Sequence, residues 1–264
     1  MCAVENSKNA GDRGVSEVIG FLLIFTIIIA GIGLVTLYGY PMLLQQQSSA
    51  NERIMEKNLI VLQNDLKSLA YNMVPYSETS LDVEGGTLTV YNMSYSPSSS
   101  FTISDTLGSI NPPVTFQPGD LRYESPSAQT GISLENGAVV MRMFAQSGSS
   151  MLANPRWFYD GPTSKAVIYL IGFNSTNIMA QSGVGGVAMQ LNQIQTNYTI
   201  YSIPSGDTVK VQYTPNPNAN YSAAWGNYFT NTGWMTSLGN WQYKYTQTPT
   251  TLVVYRYNII VNSV

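Results

Sequence analysis

An uncharged apolar segment near the N-terminus constrains the fold more than any other feature of the sequence. It runs from Val18 to Tyr40, is 23 residues long and reads VIGFLLIFTIIIAGIGLVTLYGY. As an α-helix it would be about 35 Å long, which is enough to cross the hydrocarbon core of a bilayer. The apolar region of a cleaved secretory signal has only about 7–15 residues and ends at a small-residue cleavage site. No such site follows Tyr40, so the segment predicts a retained membrane-length helix.

The chain is divided unequally by this segment, and the division predicts an orientation in the membrane. A short segment precedes Val18, and a large polar segment follows Tyr40. Basic residues do not decide the orientation, because Lys8 and Arg13 lie before the span while Arg53 lies soon after it. The lengths therefore favour an N-terminus inside the cell and the bulk of the chain outside.

A second helical pattern follows the apolar segment. Apolar residues recur at spacings of 4, 3, 4, 3 and 4 residues, which is a heptad-like seam. They are Met55, Leu59, Leu62, Leu66, Leu69 and Met73. Pro75 disfavours helix in the residue before it, so the pattern predicts one long helix from Val15 to Val74. Gly39 and Pro41 interrupt it, and we expect a kink or local melting there.

Two structures are compatible with the apolar seam. It can pack against the protein's own globular domain, or it can join neighbouring chains in a coiled coil. The first is favoured, because six turns of apolar stripe would otherwise stand in water. We therefore expect these side chains to be buried by residues that follow Pro75.

Composition removes several function classes. The chain has no histidine, the commonest general base and metal ligand, and Cys2 is its only cysteine. A single cysteine excludes an intramolecular disulfide and a cysteine-type zinc site. The 12 basic residues do not cluster and are outnumbered by 15 acidic ones, so a nucleic-acid partner is not expected. We predict a protein that is not an enzyme and that has no cofactor and no metal.

After Pro75 the sequence changes to short apolar runs separated by Ser, Thr, Gly, Pro and Asn. The predicted strands are Thr87–Met93, Gly137–Phe144, Ala166–Phe173, Val187–Ile203, Thr208–Tyr213, Trp241–Tyr245 and Leu252–Val261. A short helix is predicted at Tyr221–Phe229, and loops at Ser94–Ser100 and Ser147–Ser150. Together with the long helix, this pattern predicts an α+β protein with a β-rich, sandwich-like head over residues 76–264.

Candidates for chemistry in the head are few, and each has a structural alternative. Asp82 and Glu84 share one strand face and are either calcium ligands or a solvated turn. A two-carboxylate glycosidase site would need two acids that converge in space. The tryptophans form either a sugar-binding platform or anchors of the core and its edges. They are Trp157, Trp225, Trp234 and Trp241.

Four N-x-[ST] sequons lie in the head. They begin at Asn92, Asn174, Asn197 and Asn220. Such sites accept N-linked glycans when they are exposed on an extracellular surface. The sequons therefore agree with an extracellular head, and we expect at least one asparagine to be exposed and glycosylated.

The segment GDRGVSEVIGFLLIFTIIIAGIGLV resembles the class III signal peptide of archaeal type IV pilin-like and archaellin-like precursors. In that family a short polar leader ends in a charged, a basic and a small residue, which Asp12, Arg13 and Gly14 match. The resemblance implies that a prepilin-peptidase-type aspartic protease cuts on the cytoplasmic side, between Gly14 and Val15. The leader would carry Cys2 away, so the mature chain would contain no thiol.

The resemblance covers about residues 11–45, and Val15–Gly20 is similar to the N-terminal signature of archaeal pilins. Glu17 departs from the bacterial type IV pattern, because it would be the third mature residue and not the fifth. A salt bridge from Glu17 to a neighbour's new amine is therefore not carried over. A carboxylate at the margin of an apolar span is costly unless it is paired, protonated or interfacial. Glu17 is either close to an α-amine or helix N-terminus, or solvated among lipid headgroups.

The resemblance implies a structural subunit of an archaeal type IV pilus-like surface filament. It would have a leader over residues 1–14, a long helix over 15–75 and an outward head, with adhesion as its role. Its partners would be the prepilin-peptidase-type protease, membrane lipid before assembly, and copies of itself or related pilins bound through Val18–Tyr40. The alternative is a membrane-anchored, exported surface protein that binds or adheres without polymerising.

Overall fold

The computed structural model describes the backbone of residues 8–264 and the side chains of residues 17–264. The described part begins with two α-helices that are joined by a π-helical turn. Helix α1 spans Lys8–Leu34, the π-helical turn spans Val35–Gly39, and α2 spans Tyr40–Tyr71. Pro41 has no N–H to continue the α-helical ladder, and π-helical turns commonly accommodate such interruptions. The irregularity predicted at Gly39 and Pro41 therefore takes this form.

Helix α2 ends three residues before the predicted boundary. Met73 adopts a left-handed conformation, with φ of 53°, and the backbone N–H of Val74 donates to the oxygen of Ser68 at 3.3 Å. These contacts stop the α-helix at Tyr71, before Pro75 can act. The prediction that the helix continues to Val74 is therefore wrong.

The rest of the chain forms fifteen strands and one short helix. The strands are β1 (Tyr76–Tyr91), β2 (Ser100–Ser104), β3 (Val114–Phe116), β4 (Asp120–Ser125), β5 (Thr130–Glu135), β6 (Ala138–Met143), β7 (Ser149–Ala153), β8 (Phe158–Asp160), β9 (Lys165–Asn174), β10 (Met179–Leu191), β11 (Asn197–Ser202), β12 (Lys210–Thr214), β13 (Met235–Gly239), β14 (Gln242–Tyr245) and β15 (Thr251–Ser263). Helix α3 (Ser222–Asn231) lies between β12 and β13; the helix predicted at Tyr221–Phe229 is therefore confirmed, except that Tyr221 is the N-cap and the helix continues to Asn231.

The strands form two sheets. The larger has ten strands in the order β7-β6-β5-β4-β1-β10-β15-β9-β8, with β11 also paired to β15. The smaller has the order β13-β14-β12-β2-β3. Strand β15 organises the large sheet, because it pairs parallel with β9 on one side and antiparallel with β10 and β11 on the other.

The large sheet has a separate apolar core on each of its faces. One core joins it to α2, and the other joins it to the small sheet and α3. Neighbouring residues alternate between them: Val139 lies in the α2 core and Val140 in the other, and Ile171 and Leu170 divide in the same way. The predicted α+β class with a sandwich-like head is confirmed.

The apolar seam belongs to the same compact unit as the sheets, which spans Ala50–Val264. Its first five side chains are fully buried against the large sheet, and they are Met55, Leu59, Leu62, Leu66 and Leu69. Met73 is 62% exposed, because the helix has already ended, so its assignment to the seam is wrong. Packing on the chain's own head is confirmed for the other five, which leaves them no surface for a coiled coil.

Several predicted segments differ from the structure. The long helix begins at Lys8 and not at Val15, and the strand predicted at Thr87–Met93 is part of a longer strand that ends at Tyr91. The predicted loop Ser94–Ser100 ends one residue early, because β2 begins at Ser100.

Val187–Ile203 is not one strand, because a 3-10 turn at Gln193–Gln195 separates β10 from β11. The side chain of Asn192 accepts a hydrogen bond from the backbone N–H of Gln195 and so stabilises that turn. Ser147–Ser150 is only partly a loop, since β7 begins at Ser149.

Candidate functional site

An apolar surface covers the helical segment Val18–Tyr40. No side chain between Glu17 and Gln47 is buried, and Phe21 and Tyr38 are 68% and 71% exposed. The helical region contains a window with a mean hydropathy of 2.9 and is long and apolar enough to cross a membrane. Exposed apolar surface of this extent marks a site that contacts lipid or other proteins.

Both threonine hydroxyls within this segment are hydrogen-bonded inside the helix. The hydroxyl of Thr26 donates to the oxygen of Leu22 at 2.7 Å, and that of Thr36 donates to the oxygen of Ile32 at 2.8 Å. A hydroxyl bonded to its own helix does not need water, so both threonines are compatible with an apolar environment. Neither threonine therefore prevents lipid or other helices from covering the segment.

Three glycines leave positions without a side chain on the surface of the same helix. A Cβ atom added at Gly20, Gly31 or Gly33 would meet no heavy atom within 4 Å. Small residues on the surface of an apolar helix allow the backbone of a second helix to approach closely. These positions are therefore open for helix-to-helix contact.

The predicted cleavage site lies just before this surface. The backbone of Asp12, Arg13, Gly14 and Val15 is part of α1, while their side chains lie outside the described residues. Cys2 also lies outside them. Glu17 is exposed at the margin of the apolar run. This position is compatible with each of the environments predicted for its carboxylate.

None of the four sequon asparagines is buried. Asn197 and Asn220 are exposed, and Asn92 and Asn174 are half-buried. The amide oxygen of Asn92 accepts from the N–H of Ser94 at 3.1 Å, and that of Asn220 from the N–H of Ser222 at 2.9 Å. These contacts use the amide oxygen and not the nitrogen, to which an N-linked sugar is attached.

The acids proposed as calcium ligands lie at the surface. Asp82 and Glu84 are exposed on one face of β1, beside Asn51 and Ile54. Among the described residues, no group of three His, Cys, Asp or Glu side chains lies close enough together to hold a metal ion. Asp82 and Glu84 therefore have no third carboxylate beside them in the described part of the chain.

A buried ionic cluster lies between the two sheets and was not predicted. The guanidinium of Arg122 contacts both carboxylate oxygens of Asp120, at 2.8 and 3.0 Å, and lies 4.5 Å from the ring centre of Tyr91. The hydroxyl of Ser133 donates to Asp120 at 2.6 Å. Because the charges are paired and hydrogen-bonded, the cluster is compatible with burial.

Glu135 completes this cluster. Its carboxylate accepts from the hydroxyls of Ser99 and Tyr213, the latter at 3.2 Å, and from the indole of Trp225 at 3.5 Å. Burial raises the pKa of Glu135 to about 7 against the opposing effect of the Ser99 hydrogen bond. Both acids are enclosed by protein groups, so Asp120 and Glu135 form a structural network and not an open two-carboxylate site.

The four tryptophans do not share one platform. Trp157 and Trp225 are buried in the core between the sheets, with ring centres 6.1 Å apart. Trp234 stacks on Tyr245 at 5.4 Å, and Trp241 is 41% exposed. Three of them anchor the core and its edge, and Trp241 lines a separate cavity of about 360 Å³.

A second cavity, of about 400 Å³, lies at the C-terminal end of α2 and includes Lys67, Tyr71 and Arg156. The guanidinium of Arg156 lies 4.5 Å from the ring centre of Tyr71. Burial, together with the charge of Arg156, lowers the pKa of Lys67. In the part of the chain that the structure describes, neither cation forms a salt bridge.

These features define a class of protein: a membrane-length, exposed apolar helix followed by a β-rich unit of two sheets. A family model described as "Family of unknown function (DUF7289)" matches residues 13–261. The match extends over nearly the whole chain, so the protein belongs to this family. No curated protein and no solved structure matches the chain.

Proposed function

We propose that this protein is a structural subunit of an archaeal type IV pilus-like surface filament. The helices of many copies pack through Val18–Tyr40, and the β-rich heads face outward and serve adhesion. The observation that carries the proposal is the continuous exposure of this apolar helix. The resemblance of about residues 11–45 to the N-terminal region of class III precursors supports it from the sequence.

The energetics of the apolar surface limit where the protein can exist. At about 25 cal/mol per Å², burial of roughly 2,000 Å² per helix is worth tens of kcal/mol. A monomer cannot expose this surface to water. It can exchange lipid for sister helices, because both environments cover the same area.

Packing of the seam favours assembly through the apolar segment that precedes it. The seam side chains Met55 to Leu69 are already covered by the large sheet. Gly20, Gly31 and Gly33 lie on the uncovered segment and permit close helix packing. We therefore assign assembly to the apolar segment Val18–Tyr40, which precedes the buried seam in the chain.

We propose that removal of the leader releases the helix for assembly. A prepilin-peptidase-type protease cuts between Gly14 and Val15 on the cytoplasmic side. The mature chain then begins at Val15, two residues before Glu17, whose exposed carboxylate lies at the start of the assembly surface.

The same helix also supports a second candidate function. A segment long and apolar enough to cross a membrane is sufficient to anchor an exported head that never polymerises. In that case lipid covers Val18–Tyr40 permanently, and the head acts as a binding module at the cell surface.

Fractionation of cells separates the two functions. Cells are sheared, extracellular filaments are collected, and the protein is quantified in the filament and membrane fractions. The filament function predicts that the mature chain is abundant among the sheared filaments. Its complete retention in the membrane fraction would contradict that function and support the anchored alternative.

A further inference from the structure

The cavity of about 360 Å³ is formed where three separate parts of the head meet. Arg142 lies in β6 and Phe144 directly follows that strand, while Ser222 begins α3 and Asn220 lies just before it. Trp241 comes from the turn between β13 and β14. Its volume lies within the range of about 300–1,000 Å³ that is typical of small-molecule sites.

Trp241 occupies a backbone position that does not suit a tryptophan. Gly239 pairs with Gln242, so Asn240 and Trp241 form a two-residue hairpin turn, with φ of 48° and 58°. The second position of such a turn favours glycine, and a bulky residue there is strained. Stability alone does not explain an exposed aromatic side chain in this conformation, and such outliers occur at binding sites.

Arg142 and Phe144 form another part of the wall. Phe144 is 37% exposed, and the guanidinium of Arg142 lies 5.1 Å from its ring centre. One terminal nitrogen of Arg142 donates to the oxygen of Asn218 at 2.6 Å. Its Nε is buried and has no acceptor among the described residues. A buried donor without an acceptor is costly, and a shift of the Arg142 side chain that brings Nε to a ligand acceptor would relieve that cost.

The combination of groups indicates the chemistry of the ligand. Two exposed aromatic rings can cover the apolar face of a ring, while a guanidinium, an amide and hydroxyls bond to its polar substituents. No carboxylate lines the cavity, which disfavours a cation, and a purely apolar ligand would leave the polar groups unpaired. We infer that this cavity binds a sugar ring against Trp241 and Phe144, with Arg142 as a hydrogen-bond donor.

The sugar has two possible sources. Asn220 begins a sequon, is exposed and belongs to the cavity wall, so a glycan attached to it can supply the ring. A saccharide from outside can supply the same ring chemistry. The inference does not depend on polymerisation, because the site lies wholly within the head.

The experiment uses the full chain in detergent micelles, made in its native cells and in a bacterial host without N-glycosylation. Peptide mass spectrometry of the native protein shows whether Asn220 carries a sugar. The bare protein is titrated with glucose, galactose, N-acetylglucosamine and glucuronic acid, and binding is measured by isothermal titration calorimetry. Trp241→Gly is the test variant, because glycine suits the turn and the hairpin should stay folded. Trp234→Phe is the control, since it removes a tryptophan outside the cavity.

If the sugar comes from outside, Asn220 of the native protein is bare and one saccharide gives a saturable binding isotherm. Trp241→Gly weakens this binding by about tenfold or more, while Trp234→Phe retains the affinity. If the sugar is attached to Asn220, the native protein melts at a higher temperature than the bare protein, and Trp241→Gly removes that difference. The inference is overturned if neither effect occurs, or if Trp241→Gly leaves whichever effect occurs unchanged.

Discussion

The buried side-chain amide of Gln63 donates a hydrogen bond of 2.7 Å to the backbone oxygen of Gly137, in the turn between β5 and β6. The same nitrogen donates to the oxygen of Asn154 at 2.9 Å, and the amide oxygen of Gln63 accepts from Lys67 at 2.9 Å. Helix α2 is thus attached to the large sheet by a directional polar contact as well as by apolar packing. Such a contact specifies the position of the helix along the sheet.

Replacement of Gln63 tests this contact. Gln63→Met preserves the length of the side chain but leaves two backbone oxygens without their donor and Lys67 without its acceptor. We expect the free energy of unfolding to fall by about 1–3 kcal/mol, measured by urea denaturation of the full chain in micelles. Gln193→Met, at an exposed glutamine, should change it by less than about 0.5 kcal/mol. Equal effects of the two variants would show that the contact does not stabilise the head.

Two methionines provide a matched test of the seam. Met55 is fully buried against the large sheet, whereas Met73 is mostly exposed after the end of α2. Met55→Ala should lower the free energy of unfolding by about 2–5 kcal/mol, because it leaves a cavity. Met73→Ala should change it by less than about 0.5 kcal/mol in the same denaturation assay. A small loss for Met55→Ala would mean that the seam is not part of the head's core.

Glu135 predicts how stability depends on pH. Burial raises its pKa from 4.5 to about 7, so between these values the folded protein holds a proton that the unfolded chain has lost. The free energy of unfolding should therefore fall as pH rises from about 4.5 to about 7, by about 3 kcal/mol in total, and then level off. Glu135→Gln removes this titration, and the fall should disappear.

Asp160→Asn controls for the loss of a carboxylate, because Asp160 is exposed, and the fall in stability with pH should persist in this variant. A wild-type profile that is flat from about pH 4.5 to about pH 7 would contradict the assignment to Glu135.

Asp207 has the opposite effect on the pH dependence of stability. Burial favours its protonation, but hydrogen bonds from Thr106 and Thr208 outweigh burial and hold its pKa well below the ordinary value. The stabilisation from Asp207 is complete above the pKa that its carboxyl has in the unfolded chain, and it is lost as pH falls further.

Processing of the precursor depends on the residues before Val15. Arg13→Ala should leave an unprocessed chain that is heavier by the leader and remains in the membrane fraction. Lys8→Ala removes another leader cation away from the proposed cleavage site and should be processed normally. Intact-mass measurement distinguishes the two forms. Equal processing of both variants would remove Arg13 from the recognition site of the protease.

The N-terminal helices were predictable because their signals are local. A 23-residue apolar run and a seam of period 3.5 need no information from distant parts of the chain. The helix end was not predictable to the residue, because the left-handed conformation of Met73, and not Pro75, stops α2. The packing of the seam against the protein's own head was also predictable, because an apolar stripe of about six turns is unfavourable in water and must be buried.

Strands β4 and β5 were missed for a physical reason. Asp120, Arg122, Ser133 and Glu135 occupy positions that face the protein interior, so the expected apolar alternation is absent. Asp120, Arg122 and Ser133 are tolerated because they hydrogen-bond with one another, within β4 and from β5 to β4. Glu135 is tolerated because it accepts hydrogen bonds from Ser99, Tyr213 and Trp225. One local signal was present: the Asn-Gly pair that follows Glu135 is the preferred sequence of a two-residue hairpin turn.

The sugar cavity was also beyond the reach of sequence patterns. Arg142, Asn220 and Trp241 are far apart along the chain, and only the pairing of β13 with β14 and the position of α3 bring them together. The sequence does supply each component, namely a sequon and an unusually placed tryptophan. Their juxtaposition depends on the topology of the sheets.

Electron cryo-microscopy of filaments sheared from cells tests the central claim most directly. The account predicts a filament core of closely packed helices that can be traced as Val18–Tyr40 of this chain, with each chain beginning at Val15 and each two-sheet head outside the core. Filaments whose core density belongs to a different chain, with this protein found only in the membrane, would contradict the account.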